Sequence, residues 1–374
     1  MKIGIVCYPT FGGSGVVATE LGKALAQKGH KVHFITYSQP FRLGYFSENL
    51  FYHEVSVSNY PLFEYQPYES ALASKLVDVV KYEKLDLLHV HYAIPHASAA
   101  LMAKNILKAQ GITIPFITTL HGTDITLVGR DPSFEPVIKY SIEESDAITT
   151  VSESLKKDTY SIFKINKPIE VIPNFINISD YSNTGAKCQR NYYAPNGEKI
   201  MIHVSNFRAV KRVDDVLRVF DKVRKKIPAK LILVGDGPER ANIEKLCREL
   251  NTCNDIFSLG KIVDPKEVLC IADLFILPSE TESFGLAALE AMAMKMPVIS
   301  TNTGGLPEVN IHGVTGYMSN VGDVEDMYLN TLKIFENEQL LATLKENAFQ
   351  QAEKFDITHI LPLYEDLYLR TTRA

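Results

Sequence analysis

What this chain of 374 residues lacks narrows it first. No apolar run approaches the roughly 20 residues of a membrane-spanning helix. The start, MKIGIVCYP, has neither the basic lead nor the long apolar core of a secretion signal, so a cytoplasmic protein is expected. There is no basic excess either: the formal net charge is -5, so neither nucleic acid nor an anionic membrane surface is an expected partner. Any anionic ligand must then be met by a local cluster of cations. Cysteine is scarce, and Cys7, Cys188, Cys247, Cys253 and Cys270 form no C-x-x-C pair. Neither a disulfide framework nor a zinc site is indicated, and reduced, mostly buried thiols are expected.

What is present reads as repeated α/β units. With 46% hydrophobic and 22% charged residues the composition is that of a soluble globular protein. The length favours two α/β domains of about 150 to 200 residues each. Short apolar runs alternate with amphipathic helical patterns: IGIVCY, then VVATELGKALAQKG, then KVHFITYS. After a loop-rich stretch over 42–66, strands are expected at 85–92, 114–122, 147–152 and 169–174, giving one doubly wound parallel sheet. The polar segment NFINISDYSNTGAKCQRNYYAPNGEK breaks the period. The pattern then restarts, with strands at 199–206, 229–237, 256–261, 273–279, 296–301 and 316–320. Helices are expected in DDVLRVFDKVRKKI, PERANIEKLCREL, LAALEAMAM and VEDMYLNTLKIFEN.

The predicted organisation is a Rossmann-like domain over 1–172, a connection over 173–198, a second Rossmann-like domain over 199–356, and a final segment over 357–374. That segment reads as helical despite Pro362 and is a candidate to pack back on the first domain. Two such domains in series would face a central cleft with the carboxyl ends of both sheets, where open α/β sheets bind ligands.

Several motifs fall at expected strand ends. GSGVVA, from Gly13, fits the G-x-G-x-x-G/A spacing of dinucleotide-binding turns. GDGPER follows a strand and opens a helix, which on its own is a weak signal. In SNFRAVKR, Arg208 and Lys211 could neutralise a diphosphate or form an ordinary solvated patch with Arg212. The strongest stretch is PSETESFGLAALEAMAMKMPVISTNTGGLPEV. There Glu282 lies in the turn after a strand, Ser283 can cap the next helix, and the N–H groups of Phe284, Gly285 and Leu286 would favour an anion. Glu290, about two turns further, could accept from paired ribose hydroxyls. A pair of solvated helix acids is the plain alternative, which the flanking GGLPEV turn weakens. In TTLHGTDIT, His121 ends a strand beside glycine, where a histidine is a ligand candidate and not only a core residue. His89, His91 and His96 in HVHYAIPH match no usual zinc spacing.

Together CYPTFGGSGVVATELG, HVHYAIPH, TTLHGTDIT, SNFRAVKR and ESFGLAALE resemble retaining glycosyltransferases of the GT-B fold, family 4, the large family that includes sucrose synthase and mannosyltransferases. The resemblance covers nearly the whole chain. Its specific marks are E-x7-E from Glu282 to Glu290, R-x2-K from Arg208 to Lys211, and the GGSG turn. Within the family, the same stretches look like the bacillithiol-pathway branch that joins N-acetylglucosamine to L-malate.

The resemblance implies UDP-N-acetylglucosamine (UDP-GlcNAc) as donor, L-malate as acceptor, and neither cofactor nor metal. It implies catalytic roles for His121, Arg208, Lys211 and Glu282, with Arg208 and Lys211 on the diphosphate, Glu282 on the donor sugar and His121 near the reacting carbon. Donor contacts would come from Gly13, Ser14, Gly15, Asn206, Ser283, Phe284, Gly285, Leu286 and Glu290, with uracil near Lys261 to Val263. Acceptor candidates are Ser14, Tyr92, Thr123 and Asn206, with Arg42 or Arg130 for the malate carboxylates. The family is thought to transfer on one face, the leaving phosphate taking the acceptor's proton. A homodimer stays open.

No D-x-D triplet occurs, so the metal-clamped diphosphate of the other glycosyltransferase fold is not expected. A dehydrogenase would need an acidic residue after the second strand, where Thr36, Tyr37 and Ser38 stand. A UDP-GlcNAc epimerase shares fold and donor but needs no acceptor, and a non-catalytic sensor would not need Arg208, Lys211, Glu282 and Glu290 together. A family 4 enzyme with another acceptor, inositol phosphate or a glycan, is the nearest alternative. The opening turn is set off from its strand by Tyr8 to Gly12, so it reads as part of a sugar-diphosphate site in which bare Gly13 and Gly15 let donor and acceptor approach the backbone.

Overall fold

The computed structural model describes residues 1–374 except 11, 45, 46, 58–63, 183–188, 263 and 374. The chain forms two compact units, Met1–Phe175 with Ile357–Ala374, and Ile176–Asp356. No helix among the described residues is long and apolar enough to cross a membrane.

The first unit holds strands β1 (Lys2–Val6), β2 (Lys31–Thr36), β3 (Leu50–Glu54), β4 (Leu87–His91), β5 (Phe116–Leu120), β6 (Ala147–Thr150) and β7 (Glu170–Val171). They pair in parallel in the order β3-β2-β1-β4-β5-β6-β7. Strands covered on both faces must be buried throughout; β4 and β5 are buried at every residue, including the polar His89, His91, Thr118 and Thr119. Helices α1 (Gly13–Gln27), α2 (Tyr68–Glu83), α3 (Ser98–Ala109), α4 (Glu135–Glu144) and α5 (Glu153–Phe163) connect them. Leu72, Leu76 and Val80 of α2 join Leu101 and Leu107 of α3 in one core with Leu88 and Phe116 of the sheet. Strand β3 lies inside the stretch expected to be loop. As a half-exposed edge it carries no continuous apolar run.

The second unit repeats the plan with β8 (Lys199–Val204), β9 (Ala229–Val234), β10 (Ile256–Gly260), β11 (Leu274–Leu277), β12 (Val298–Thr301) and β13 (Gly316–Ser319). All are parallel, in the order β10-β9-β8-β11-β12-β13, which is the Rossmann arrangement. Its helices are α6 (Val213–Arg224), α7 (Arg240–Glu249), α8 (Leu286–Ala293), α9 (Val324–Phe335) and α10 (Glu338–Glu353). On α6, Val213, Val216, Leu217, Phe220 and Val223 fall at helical spacing and are buried. Helix α10 was not foreseen. Asn337, read as the end of α9, instead caps α10 by accepting the Leu340 N–H at 2.9 Å.

Residues 176–198 belong to the second unit, where Arg190 donates to the Ile271 carbonyl at 2.6 Å, to the Glu198 carbonyl at 2.9 Å and to Asp273 at 2.7 Å. The expectation of free thiols fails at Cys247, Cys253 and Cys270, all disulfide-bonded, and Cys188 lies outside the described residues. The end of α7 turns back so that the Cα atoms of Cys247 and Cys253 lie 5.4 Å apart as a disulfide, while Cys7 is free and buried. The last helix, α11 (Ile357–Arg373), returns to the first unit, burying Ile360, Leu361, Tyr364, Leu367 and Tyr368. Its Glu365 meets His30 at 3.2 Å and its Arg370 meets Glu170 at 3.1 Å.

Phe220→Ala empties a fully buried site between α6 and its sheet, and urea unfolding should show a loss of about 3–5 kcal/mol. A loss well under 1 kcal/mol would mean that α6 is not the packed wall it is taken to be.

Candidate active site

In each sheet the order reverses beside the first strand, at β1/β4 and at β8/β11, and such switch points open a crevice at the strands' carboxyl ends. Motif residues stand at these ends in both units, Ser14 and Tyr92 after β1 and β4, and Arg208, Lys211 and Glu282 after β8 and β11.

In the second unit, Asn206 and Arg208 follow β8 and are exposed. Arg208 makes no ion pair among the described residues. A tight turn, closed by Lys211 N–H to the Arg208 carbonyl at 2.8 Å, brings Lys211 back over the crevice. Its Nζ lies 2.5 Å from Glu282 Oε2, which also accepts from Ser279 Oγ at 3.3 Å. The loops after β8 and β11 are tied by Glu280 N–H to the Val210 carbonyl at 2.8 Å. The GGLPEV turn holds them from behind: Gly305 N–H donates to the Glu282 carbonyl at 2.8 Å, and a Cβ on Gly304, at φ +58°, would lie 2.0 Å from that oxygen. Only glycine lets this turn lie so close. The GDG turn serves the same loop, with Phe207 N–H bonded to the Asp236 carbonyl at 3.0 Å.

The helix after Glu282 starts at Leu286, where LAALEAMAM predicts it, but without the expected Ser283 cap. Gly285, at φ +100°, occupies the N-cap of α8, so Ser283 stands two residues too early to cap it. The first-turn N–H groups of α8, without an intrahelical acceptor, are those of Leu286, Ala287 and Ala288, while the Phe284 N–H lies ahead of the helix. Phe284 is buried edge-on against Phe355, ring centroids 5.5 Å apart, as a packing residue. Glu290 is buried on α8 and accepts from Tyr181 OH at 3.1 Å, and Lys266 Nζ stands 5.5 Å from the Tyr181 ring centre. His203, inside β8, bonds the Ile276 carbonyl at 2.8 Å and Ser205 Oγ at 2.7 Å, and burial pushes it down to about 4. Lys261 follows β10; Val263, its companion in the expected uracil contact, lies outside the described residues.

In the first unit Gly13, Ser14 and Gly15 are the first turn of α1, with Gly12 as N-cap, and not a loop. Gly15 is buried, and a Cβ there would lie 2.5 Å from the Tyr8 carbonyl and 2.6 Å from that of Thr10. It is bare so that the preceding loop can fold over the helix start, which corrects the reading that it makes room for a ligand. Ser14 Oγ and Tyr92 OH share a hydrogen bond of 3.0 Å, Tyr92 taking an unusual φ of +84°. Thr123 and Arg130 are exposed and Arg42 is half-buried; neither arginine pairs with an acid among the described residues.

Behind Tyr92 lie four buried histidines. His91 Nδ1 and His121 Nε2 are 2.8 Å apart, His89 bonds Tyr368 OH and Thr119 Oγ1 at 2.7 Å each, and His96 Nδ1 donates to the His91 carbonyl at 2.5 Å. Burial holds His89 and His121 near 3 and His96 near 4, and pushes His91 well below its ordinary value. All four are neutral near pH 7. Asp124, unremarked in the sequence, accepts from the N–H groups of His121 at 3.2 Å, Gly122 at 2.9 Å and Ala93 at 2.9 Å. Its burial raises its pKa against those bonds. At the other end of β2, His33, His53 and Glu83 converge, but His33 Nδ1 and His53 Nε2 are 2.9 Å apart. That is hydrogen-bond contact, closer than the roughly 3.3 Å between two nitrogens on one tetrahedral zinc.

Two family models divide the chain between them: Glycosyltransferase Family 4 over residues 11–180 and Glycosyl transferases group 1 over 188–351. Solved structures of the same fold include sucrose-phosphate synthase from Thermosynechococcus elongatus (TM-score 0.81, 21% identity, 99% of this chain and 98% of that one). Anabaena HepE with UDP and glucose is equally near (TM-score 0.81, 18% identity, 98% and 99%). The chain belongs to family 4 of the GT-B glycosyltransferases and is an enzyme of that class. Among its relatives is the N-acetyl-alpha-D-glucosaminyl L-malate synthase of Bacillus anthracis, 46% identical over 375 aligned positions that cover 100% of this chain and 98% of the relative.

The neutral histidines make acid the weak side of the first unit. Each has a folded pKa below the unfolded value near 6.5, so the unfolded chain binds more protons once the pH drops below about 6.5. Stability should be full above that pH and fall towards pH 4 and 3 by up to about 1.4 kcal/mol per pH unit for each histidine. The raised pKa of Asp124 works in the opposite sense, as one group against four. Chemical denaturation between pH 8 and 5 should show the decline; a flat profile would mean that the imidazoles are charged in the fold.

Proposed function

We propose that the enzyme transfers N-acetylglucosamine from UDP-GlcNAc to the hydroxyl of L-malate, keeping the α configuration. The observation that carries this reading is the 46% identity to the synthase of that name along the full chain. The second unit supports it with Arg208 and Lys211 after β8, Glu282 after β11 and paired with Lys211, and Glu290 on α8.

Arg208 and Lys211 would meet the diphosphate, the free guanidinium as a bidentate donor and the ammonium while bonded to Glu282. The two cations and one carboxylate leave one net positive charge, and the N–H groups opening α8 add to it. Glu290 would accept from ribose hydroxyls and Glu282 from the donor sugar. From the first unit, His121 would contact the donor sugar, while Ser14, Tyr92, Thr123 and one of Arg42 and Arg130 are the candidates for malate. The malate oxygen would attack the anomeric carbon on the face the diphosphate leaves. The C–O bond to phosphate breaks, the bond to malate forms, and the hydroxyl proton passes to the departing phosphate oxygen. Catalysis would rest on positioning and on charge stabilisation at that oxygen. The reading asks for no cofactor, metal, nucleic acid or membrane. It is compatible with a homodimer, and we place the reaction in the cytoplasm.

A UDP-release assay with UDP-GlcNAc against L-malate, inositol phosphate and simple sugars tests the acceptor. Release should require L-malate; release with another acceptor and none with malate would overturn the proposal while leaving the family standing. Release without any acceptor would favour the epimerase.

In the same assay Arg208→Ala should lower kcat by about 10²-fold, the typical cost of one preorganised donor on a developing anion. Lys211→Ala should cost as much and also raise KM for the donor, because Glu282 would then face the diphosphate unpaired. Equal KM values in the two variants would speak against the ion pair's part in binding.

A further inference from the structure

His91 ends β4 and His121 directly follows the adjacent strand β5, in which Thr119 is in register with His91. Their ring centres are 5.1 Å apart and their planes 27° apart, so the rings meet edge to edge through the contact of His91 Nδ1 with His121 Nε2 at 2.8 Å. Both are buried. One N–H···N bond joins two neutral imidazoles, and the question is which ring donates.

The surroundings of His91 decide it. Its other nitrogen, Nε2, is buried without a hydrogen-bond partner. Were His121 the donor, His91 would have to carry its own proton on Nε2, as a buried N–H with nothing to accept it. With His91 as donor, the orphan is a lone pair, the cheaper of the two to leave unmet. The proton of His121 then sits on Nδ1, which makes no hydrogen bond among the described residues. The geometry thus points to His91 as a positioning residue: we infer that it donates Nδ1–H to His121 Nε2 and so fixes His121 as the Nδ1–H tautomer.

His121 consequently faces its ligand as a neutral hydrogen-bond donor and not as a base. That suits an oxygen of the donor sugar or of the departing phosphate. The His91 ring is itself confined: His89 lies 4.4 Å from it, centre to centre, anchored by Tyr368 and Thr119, and the His91 carbonyl accepts from His96. The inference about the tautomer stands on geometry alone; its bearing on turnover rests on the proposed transfer reaction.

Nitrogen-15 spectra of the full chain labelled at histidine test it, with His121 assigned by the signals lost in His121→Gln. The expected result is a protonated Nδ1 and a bare Nε2 on His121 between pH 6 and 8; a proton on Nε2 overturns the inference. This readout needs no substrate, so it survives a failure of the L-malate reading. For turnover, His91→Asn keeps a side-chain N–H near the Nδ1 position and His91→Leu does not. His91→Leu should lose about 10²-fold in kcat, the scale of a misplaced catalytic contact, with KM for the nucleotide donor unchanged. His91→Asn should recover most of that loss. Equal kcat in wild type and a folded His91→Leu overturns the positioning role, and should His91→Leu not fold, the wild-type spectra still decide the tautomer.

Discussion

Parallel strands with helices on both faces leave little room for polar chemistry anywhere but at the strand ends. Backbone groups inside each sheet are spent on their neighbours, and both faces are covered. What remains is the carboxyl edge, and within it the gap where successive connections diverge, at β1/β4 and β8/β11. Every residue with a proposed role in the reaction answers to that constraint. Arg208 and Lys211 follow β8, Glu282 follows β11, Tyr92 follows β4 and His121 follows β5, while Ser14 and Glu290 lie on helices that open from the same edges.

The site in the second unit is an arrangement of opposed charges. A carboxylate beside a diphosphate would be repelled, and two cations with no anion nearby would repel each other. Pairing Lys211 with Glu282 at 2.5 Å relieves both and leaves Arg208 as the exposed positive group. The pair is partly buried, so its attraction is less screened than that of a surface pair, and its geometry depends on loops fixed by backbone bonds at Glu280 and Gly305. The GGLPEV turn acts through the backbone it holds.

Much of this was legible in the chain, for identifiable reasons. Doubly covered strands read as apolar runs, so all six strands of the second unit stand where expected, whereas the half-exposed β3 did not announce itself. Local spacing located Arg208, Lys211, Glu282, Glu290 and His121 but not their partners. Lys211 and Glu282 are 71 positions apart, Tyr181 and Glu290 are 109, and His91 and His121 are 30. Those contacts follow from strand order and not from spacing. Backbone conformation hid as well: the positive φ of Gly285 moved the start of α8 past Ser283, and the bareness of Gly15 answers to the Tyr8 and Thr10 carbonyls.

The first unit presents its polar groups by the opposite means. Four imidazoles packed together could not share a positive charge without an anion beside them, and Asp124 is not available for that role. Its Oδ1 is spent on the N–H groups of His121 and Gly122 and its Oδ2 on that of Ala93. The histidines are therefore held as neutral rings, by the bond between His91 and His121 and by Tyr368, Thr119 and the His91 carbonyl, with Nε2 of His91 and of His96 left unbonded. Tyr368 comes from α11, so the last helix of the chain completes the polar layer behind His121. A ring held neutral in this way keeps one hydrogen-bonding pattern across the pH range in which a free histidine would change its charge. Constancy of that kind is what the proposed contact of His121 with the donor sugar would require, and a proton-transferring base would require the reverse.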